Sequence, residues 1–187
     1  MRWCEISSPA GRLLLAGDGH ALSRIHFQDG PHPMAIPDGW ERTEEPFADA
    51  IGELDAYFAG RLTKFQVPIA PEGTPFQREV WTALTRIPYG ETVSYGELTR
   101  RLGRPNASRA VGAANGRNPI PIIVPCHRVV GANGALTGFG GGLSIKRMLL
   151  DLEAEWSGRP TLPIASVTSA RASGFPEAPR AAAPARR

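Results

Sequence analysis

Along the first third of the chain the apolar positions come in short extended runs; beyond residue 74 they recur at helical spacing. Runs at 2–7, 12–16 and 21–28 predict three strands, parted by the turn formers Pro9-Ala10-Gly11 and Gly17-Asp18-Gly19. Phe47, Ile51, Leu54 and Phe58 then share a helical face, with Pro46 suited to the first position and Gly60 to the stop. Phe65, Val67 and Ile69 alternate and predict a further strand, which Pro68 confines to a sheet edge because it has no amide to donate. Residues 71–75, PEGTP, read as a linker.

The second half reads as helices around one irregular stretch. Thr74 caps and Pro75 opens a helix whose face is Phe76, Val80, Leu84 and Ile87. Ser94-x-x-Glu97 has the form of a capping box for a second helix, ended by Gly103, and Asn106 suits the cap of a third running to about 116. Two helices joined by a short glycine-containing turn predict a helix-turn-helix, a spacing that any helical hairpin shares. In the third helix Ala107, Ser108, Ala110, Gly112, Ala113 and Ala114 are small, and Arg109 is the one long side chain. Such a smooth surface suits a nucleic-acid backbone or minor groove better than base reading in the major groove; close packing on another helix is the alternative. Arg100, Arg101, Arg104 and Arg117 flank it and are candidates to neutralise phosphates. A last helix from Ser144 aligns Ile145, Met148, Leu149 and Leu152, with Glu153 at the end of the stripe.

Candidate chemistry lies in residues 120–130, IPIIVPCHRVV. Pro121 and Pro125 break the apolar run, so a regular central strand is excluded and a rigid, irregular approach to Cys126 is expected. Burial alone would make that thiol inert, whereas His127 and Arg128 beside it would favour the thiolate. Adjacent residues point opposite ways in a strand, so a Cys–His contact here requires a turn or a bridging water. Downstream, residues 137–143, TGFGGGL, lack the spacing and the βαβ frame of a dinucleotide site and read as a close-approach loop whose amides and Phe139 wall a flat ligand. Cys4, His20, His26 and His32 match no tight ligand spacing, so neither metal nor cofactor is expected.

Composition narrows the setting. A hydrophobic content of 42% over 187 residues suffices for one good core or two small ones. Two cysteines imply no disulfide framework and a reducing, cytoplasmic compartment. The apolar run 13–16 is too short for a signal peptide, and none reaches the ~18 residues of a membrane span. The net charge of +3 is unevenly spread. Residues 1–73 hold 6 basic and 11 acidic side chains, residues 74–156 hold 10 and 6, and residues 157–187 hold five arginines against Glu177. Contact with a polyanion therefore belongs to the middle and the tail, unless these are only solvated charges. The proline- and alanine-rich stretch 157–187 reads as a disordered basic tail.

The block NPIPIIVPCHRVVGANGALTGFGGGLSIKRMLL resembles the O6-alkylguanine-DNA alkyltransferases, strongly over residues 74–155 and loosely over the first seventy. The resemblance implies an α+β protein with an N-terminal ribonuclease-H-like α/β domain (1–70). A C-terminal catalytic and DNA-binding domain (71–156), helical and winged-helix-like, would carry the thiol and the helix-turn-helix. It implies Cys126 as alkyl acceptor, His127 as base through a water, Glu153 orienting His127, Asn118 holding the turn, and Tyr95 donating a proton to the departing guanine. Arg109 would fill the space of the extruded nucleotide, with Tyr95, Ala107, Ser108, Ala110, Arg100 and Arg101 also on DNA. Pro121, Val129, Phe139, Gly140 and Gly141 would form the base pocket. The implied partner is double-stranded DNA carrying O6-alkylguanine or O4-alkylthymine, met in the minor groove by a monomer with no membrane contact. Phe139 stands where tyrosine is common in the family and Gly140 where some members carry serine, which leaves hydrogen bonding to the lesion to backbone amides. The rival classes are a cysteine hydrolase using Cys126 and His127, and a DNA-binding module in which Cys126 is only core.

Overall fold

The computed structural model describes residues 1–158, so the predicted tail, apart from Ser157 and Gly158, lies outside the described residues. Three strands form where the extended runs predict them: β1 (Arg2–Ser8), β2 (Gly11–Gly17) and β3 (Leu22–Phe27). They make an antiparallel meander with β1 paired to β2 from Arg2↔Gly17 to Ser8↔Gly11. A two-residue strand, β4 (Glu41–Arg42), adds parallel to β1 and completes the order β3-β2-β1-β4; nothing in its polar sequence announced it. Leu13, Leu14, Leu15 and Ala16 of β2 are all buried, so this central strand is covered on both faces.

The strand expected at 65–69 does not form. That segment offers a single parallel bridge, Leu22↔Ile69, flanked by Leu22 N donating to Pro68 O and Ala70 N donating to Leu22 O. Pro68, without an N–H, stops the ladder there. Pro46 sits in a 3-10 turn (Glu45–Phe47) ahead of helix α1 (Ala48–Phe58), and the buried face is Phe47, Ala50, Leu54 and Tyr57, leaving Ile51 and Phe58 half-buried.

Helix α2 (Pro75–Leu84) carries the full reciprocal cap, Thr74 with Gln77, and buries Val80, Trp81 and Leu84. A short strand β5 (Val93–Ser94) leads into α3 (Tyr95–Arg101). Ser94 Oγ accepts from Glu97 N, but the Glu97 side chain turns to Arg100 and Arg101, so only half of the expected capping box exists. Helix α4 (Ser108–Gly116) starts after Ala107 with no side-chain cap; Asn106 lies one residue too early to serve. Packing of α4 on α2 and α3 buries Val111, Ala114 and Asn115, and Trp81 Nε1 donates to Ala114 O across that seam at 2.9 Å. Strand β6 (Val129–Val130) and helix α5 (Leu143–Ser157) complete the chain.

One hydrophobic cluster runs through both halves, from Leu13 and Ile25 of the sheet to Leu98, Val124 and Leu149. The junction is also polar: Ile25 N donates to Pro119 O at 2.9 Å, so the edge of the sheet props the segment that leads to Cys126.

Candidate active site

The approach to Cys126 is irregular, as its prolines require. Asn118 Oδ1 accepts from Ile120 N (3.1 Å) and its Nδ2 donates to Val124 O (2.7 Å), closing the loop on itself. Ile122 sits at φ 76, alone among the described non-glycine residues in the left-handed region. For a β-branched residue this costs on the order of 1–3 kcal/mol, held by surroundings that leave Ile122 no exposure. A 3-10 turn (Cys126–Arg128) follows, and the parallel pairing Val93↔Val129 and Ser94↔Val130 ties it to the start of α3. The turn lets neighbouring Cys126 and His127 both face the interior, and both are buried.

Behind the thiol lies a buried charge network centred on Glu153. His127 Nε2 stands 2.8 Å from Glu153 Oε1, and Arg128 donates Nη2–H to Oε1 and Nε–H to Oε2, each at 2.9 Å. Gly90 N donates to Oε2 at 3.0 Å and Tyr57 Oη to Oε1 at 2.8 Å. Arg128 gives a further N–H to Ile87 O at 2.6 Å. Burial pushes the Glu153 carboxyl up, but His127 and the Arg128 guanidinium hold it well below the usual carboxylate range. Burial pushes His127 down and outweighs the pull of Glu153, so the imidazole is neutral at pH 7. An ionised carboxylate accepts only, hence Nε2 carries the hydrogen and Nδ1 the lone pair. That Nδ1 is buried and has no hydrogen-bond partner among the described residues.

The thiol itself is less activated than its neighbours in sequence suggest. Burial pushes the Cys126 thiol up; the Asn118 amide, the Lys146 ammonium and the backbone N–H groups of the turn pull the other way. Arg128, expected to act on the thiol, is committed to Glu153 instead, and Lys146 of α5 is the cation that acts on Cys126. Lys146 is wholly buried, donates to Val129 O (2.7 Å) and Thr137 O (2.9 Å), and burial lowers its pKa to about 8 against the pull of Cys126.

The remaining predicted residues fall around this centre. Tyr95 is half-buried across Gly112, and its Oη accepts long contacts from Asn115 Nδ2 (3.4 Å) and Thr137 Oγ1 (3.3 Å). Ser108, Arg109 and Ala110 are exposed and Ala107 half-buried, and no ion pair or hydrogen bond engages the Arg109 side chain among the described residues. Arg100 and Arg101, the candidates for phosphate contact, both pair with Glu97, and Arg104 pairs with Glu79. Pro121 and Val129 are buried, and Gly141 is buried against the Phe27 ring, where a Cβ would come within 2.8 Å. Phe139 packs between Phe27 (5.4 Å) and His127 (6.4 Å), while Gly140 is exposed with open space beside it.

Sequence reasoning missed Tyr57, Lys146 and Asn115. Tyr57 follows the helical spacing of Leu54 and was legible as core though not as a polar contact; a lysine on the last helix carried no signal of burial. Among the described residues no group of three or more His, Cys, Asp or Glu is arranged to hold a metal ion, and no helix is long and apolar enough to cross a membrane.

Fold and site together define a class: an α+β protein that keeps a buried cysteine, backed by a histidine–carboxylate pair, next to a helix-turn-helix. Two family models divide the chain, "6-O-methylguanine DNA methyltransferase, ribonuclease-like domain" over residues 1–71 and "6-O-methylguanine DNA methyltransferase, DNA binding domain" over residues 75–155. A methylated-DNA–protein-cysteine methyltransferase of Methanosarcina acetivorans is 56% identical over 82% of this chain and 98% of its own length. One of Mycobacterium leprae is 53% identical over 80% and 90%. The crystal structure of Mycobacterium tuberculosis OGT in complex with DNA superposes with a TM-score of 0.78 at 49% identity, covering 83% of this chain and 94% of that one. The chain belongs to the 6-O-methylguanine DNA methyltransferase family.

Proposed function

We propose that this protein repairs alkylated DNA directly, moving the alkyl group of O6-alkylguanine, and of O4-alkylthymine, in duplex DNA onto Cys126 Sγ. The observation that carries the reading is a buried thiol one residue from a neutral imidazole whose Nε2 is fixed 2.8 Å from Glu153 and whose Nδ1 lone pair has no partner among the described residues. The Cys126 proton passes through a bridging water to His127 Nδ1. Sulfur attacks the alkyl carbon, the carbon–oxygen bond breaks with its electron pair going to the base, and Tyr95 gives its phenolic proton to the departing base. Exchange with water as the site opens returns the proton held on His127 to the phenolate. Asn118 keeps the turn closed. The thioether that forms has no easy hydrolytic route, so each molecule acts once.

An exocyclic oxygen inside a duplex is out of reach, so the base must be flipped out at a cost of a few kcal/mol. Exposed Ser108 and Ala110, with Ala107, offer a smooth surface to the minor groove, and Arg109 fills the vacated stack. Arg100 and Arg101 reach phosphates by giving up Glu97. Pro121, Val129, Phe139 and Gly141 wall the base, with Gly140 at the open rim. The protein acts as a cytoplasmic monomer that needs no metal or cofactor. Intact mass after one equivalent of O6-methylguanine duplex tests the reading: a single methyl group on Cys126 is expected, with binding but no transfer by Cys126→Ser. No mass gain, or several turnovers per molecule, would overturn it.

A further inference from the structure

Tyr57 belongs to the amino-terminal domain, yet its hydroxyl ends in the charge network of the other domain. It sits near the end of α1 with no exposure, 2.8 Å from Glu153 Oε1, the oxygen that also receives His127 Nε2 and Arg128 Nη2. Its ring is boxed by Phe58 and Phe65, with centroids at 5.4 Å, and by Tyr89 at 5.9 Å. The box leaves the hydroxyl one direction to point, and Glu153 is its only hydrogen-bond partner among the described residues.

We propose that Tyr57 is a positioning residue for the alkyl transfer, through which the amino-terminal domain sets the basicity and orientation of His127. This rests on the reading of Cys126 as acceptor and His127 as its base. A carboxylate oxygen shared among three donors offers each of them less negative charge. The Tyr57 hydroxyl therefore weakens the hold of Glu153 on an imidazolium at His127, and keeps His127 Nδ1 free to take the thiol proton at neutral pH. The hydroxyl stays a donor at every working pH, since burial, and after it the charge of Glu153, push its own ionisation far up. The other charged or titratable groups acting on His127 are Arg128 in its own turn and Lys146 on α5, with Cys126 beside it and Tyr89 beyond the carboxylate. Tyr57→Phe changes none of these and retains the ring. Glu153 still accepts from His127, Arg128 twice and Gly90, so no buried charge is stranded.

The test is the rate of Cys126 alkylation by free O6-benzylguanine, followed by intact mass across pH 5–9 as an on-the-order-of span around the imidazole range. Tyr57→Phe is expected to move the acid-side midpoint upward by at least about half a unit, where one unit is tenfold in the neutral fraction. Phe65→Leu, which loosens the box without touching the hydroxyl, is expected to lower the melting temperature and leave the midpoint in place. Should Tyr57→Phe fail to fold, 3-fluorotyrosine placed at position 57 strengthens the donor and is expected to move the midpoint downward. An unmoved midpoint in Tyr57→Phe, or an equal movement in Phe65→Leu, would overturn the proposal. Where only O6-methylguanine duplex reacts, the same pH profile is read on the duplex, and a wild-type protein that takes an alkyl group from neither substrate would instead overturn the acceptor reading beneath it.

Discussion

Replacing Glu153 by glutamine tests the buried network at its centre. The change keeps shape and removes one charge, leaving the Arg128 guanidinium, 6% exposed, with Ile87 O and a neutral amide in place of two charge-assisted bonds. Removing one partner of a buried ion pair costs about 3–5 kcal/mol because the other charge is left uncompensated. For a chain of this length each kcal/mol shifts the melting temperature by roughly 2–4 °C, so a fall on the order of 10 °C is expected near pH 7. The pH dependence follows from the sign of the shift. The carboxyl of Glu153 is held below its ordinary 4.5 in the fold, so its contribution is fully present above that value. It is lost as pH falls below 4.5 toward the lower folded value, so the gap between wild type and Glu153→Gln should be widest at neutral pH and close on acidification. Melting followed by circular dichroism from neutral to acid pH reads both quantities. A gap of less than about 2 °C at pH 7, on the same conversion, would show that Arg128 finds compensation elsewhere and that Glu153 does not hold the network together.

Arg109→Ala should slow repair of alkylated duplex by at least about tenfold, an on-the-order-of 1.4 kcal/mol loss, and react almost normally with free benzylated guanine, since only the duplex needs a side chain in the stack; equal slowing on both would place Arg109 in support of the fold or the thiol. Lys146→Met should slow alkylation of Cys126 at neutral pH and move its thiol titration to higher pH, because Lys146 is charged below about 8 and its charge lowers the thiol pKa; an unmoved titration would remove Lys146 from the site. Gly141→Ala should cost about 1–3 kcal/mol by overpacking against Phe27, while Gly140→Ala, facing open space, should melt like wild type; the reverse order in a melting comparison would refute the packing read at this loop.

What the chain spells out and what it hides divide on physical lines. Strands and helices with one apolar face were legible because period 2 and period 3.6 survive in any sequence that must bury a stripe, as in β1 to β3 and α2. The irregular run into Cys126 was legible from what its prolines forbid. The strand at 65–69 was overcalled because alternation is necessary for a strand and not sufficient: the ladder also needs the amide that Pro68 lacks. Asn106 looked like a cap by residue type, but the α4 backbone turns helical only at Ser108, two residues on, in a helix that buries Val111 and Ala114. The destinations of long polar side chains were the least legible. Arg128 reads as a neighbour of the thiol and turns away to Glu153; Arg100 and Arg101 read as candidates for phosphates, and their pairing with Glu97 carried no signal. Lys146 drew no reading from its sequence and is buried under the loop it binds. Partners that lie 25 to 96 residues away, as Arg128 and Tyr57 do from Glu153, leave no local trace.

Under the proposed reaction, burial of Cys126 works against its reactivity, since the same burial that shields the thiol also keeps it protonated. The charges behind it resolve the conflict. Arg128 donates to both oxygens of Glu153, so the carboxylate keeps a charged partner whether His127 carries one proton or two. The network therefore already holds the negative charge that would stabilise an imidazolium, while burial keeps His127 neutral in the resting protein. In that proposal a proton leaving Cys126 through the bridging water for His127 Nδ1 turns a neutral pair into a thiolate and an imidazolium, each met by an opposite charge already in place: Lys146 for the sulfur, Glu153 for the ring. Apart from the bridging water, the groups that meet this charge separation are already in place, which makes them effective in a buried site. Under the proposed reaction the thiol can remain inert towards small oxidants and electrophiles in solution, and become a nucleophile when an alkylated base closes the pocket over it.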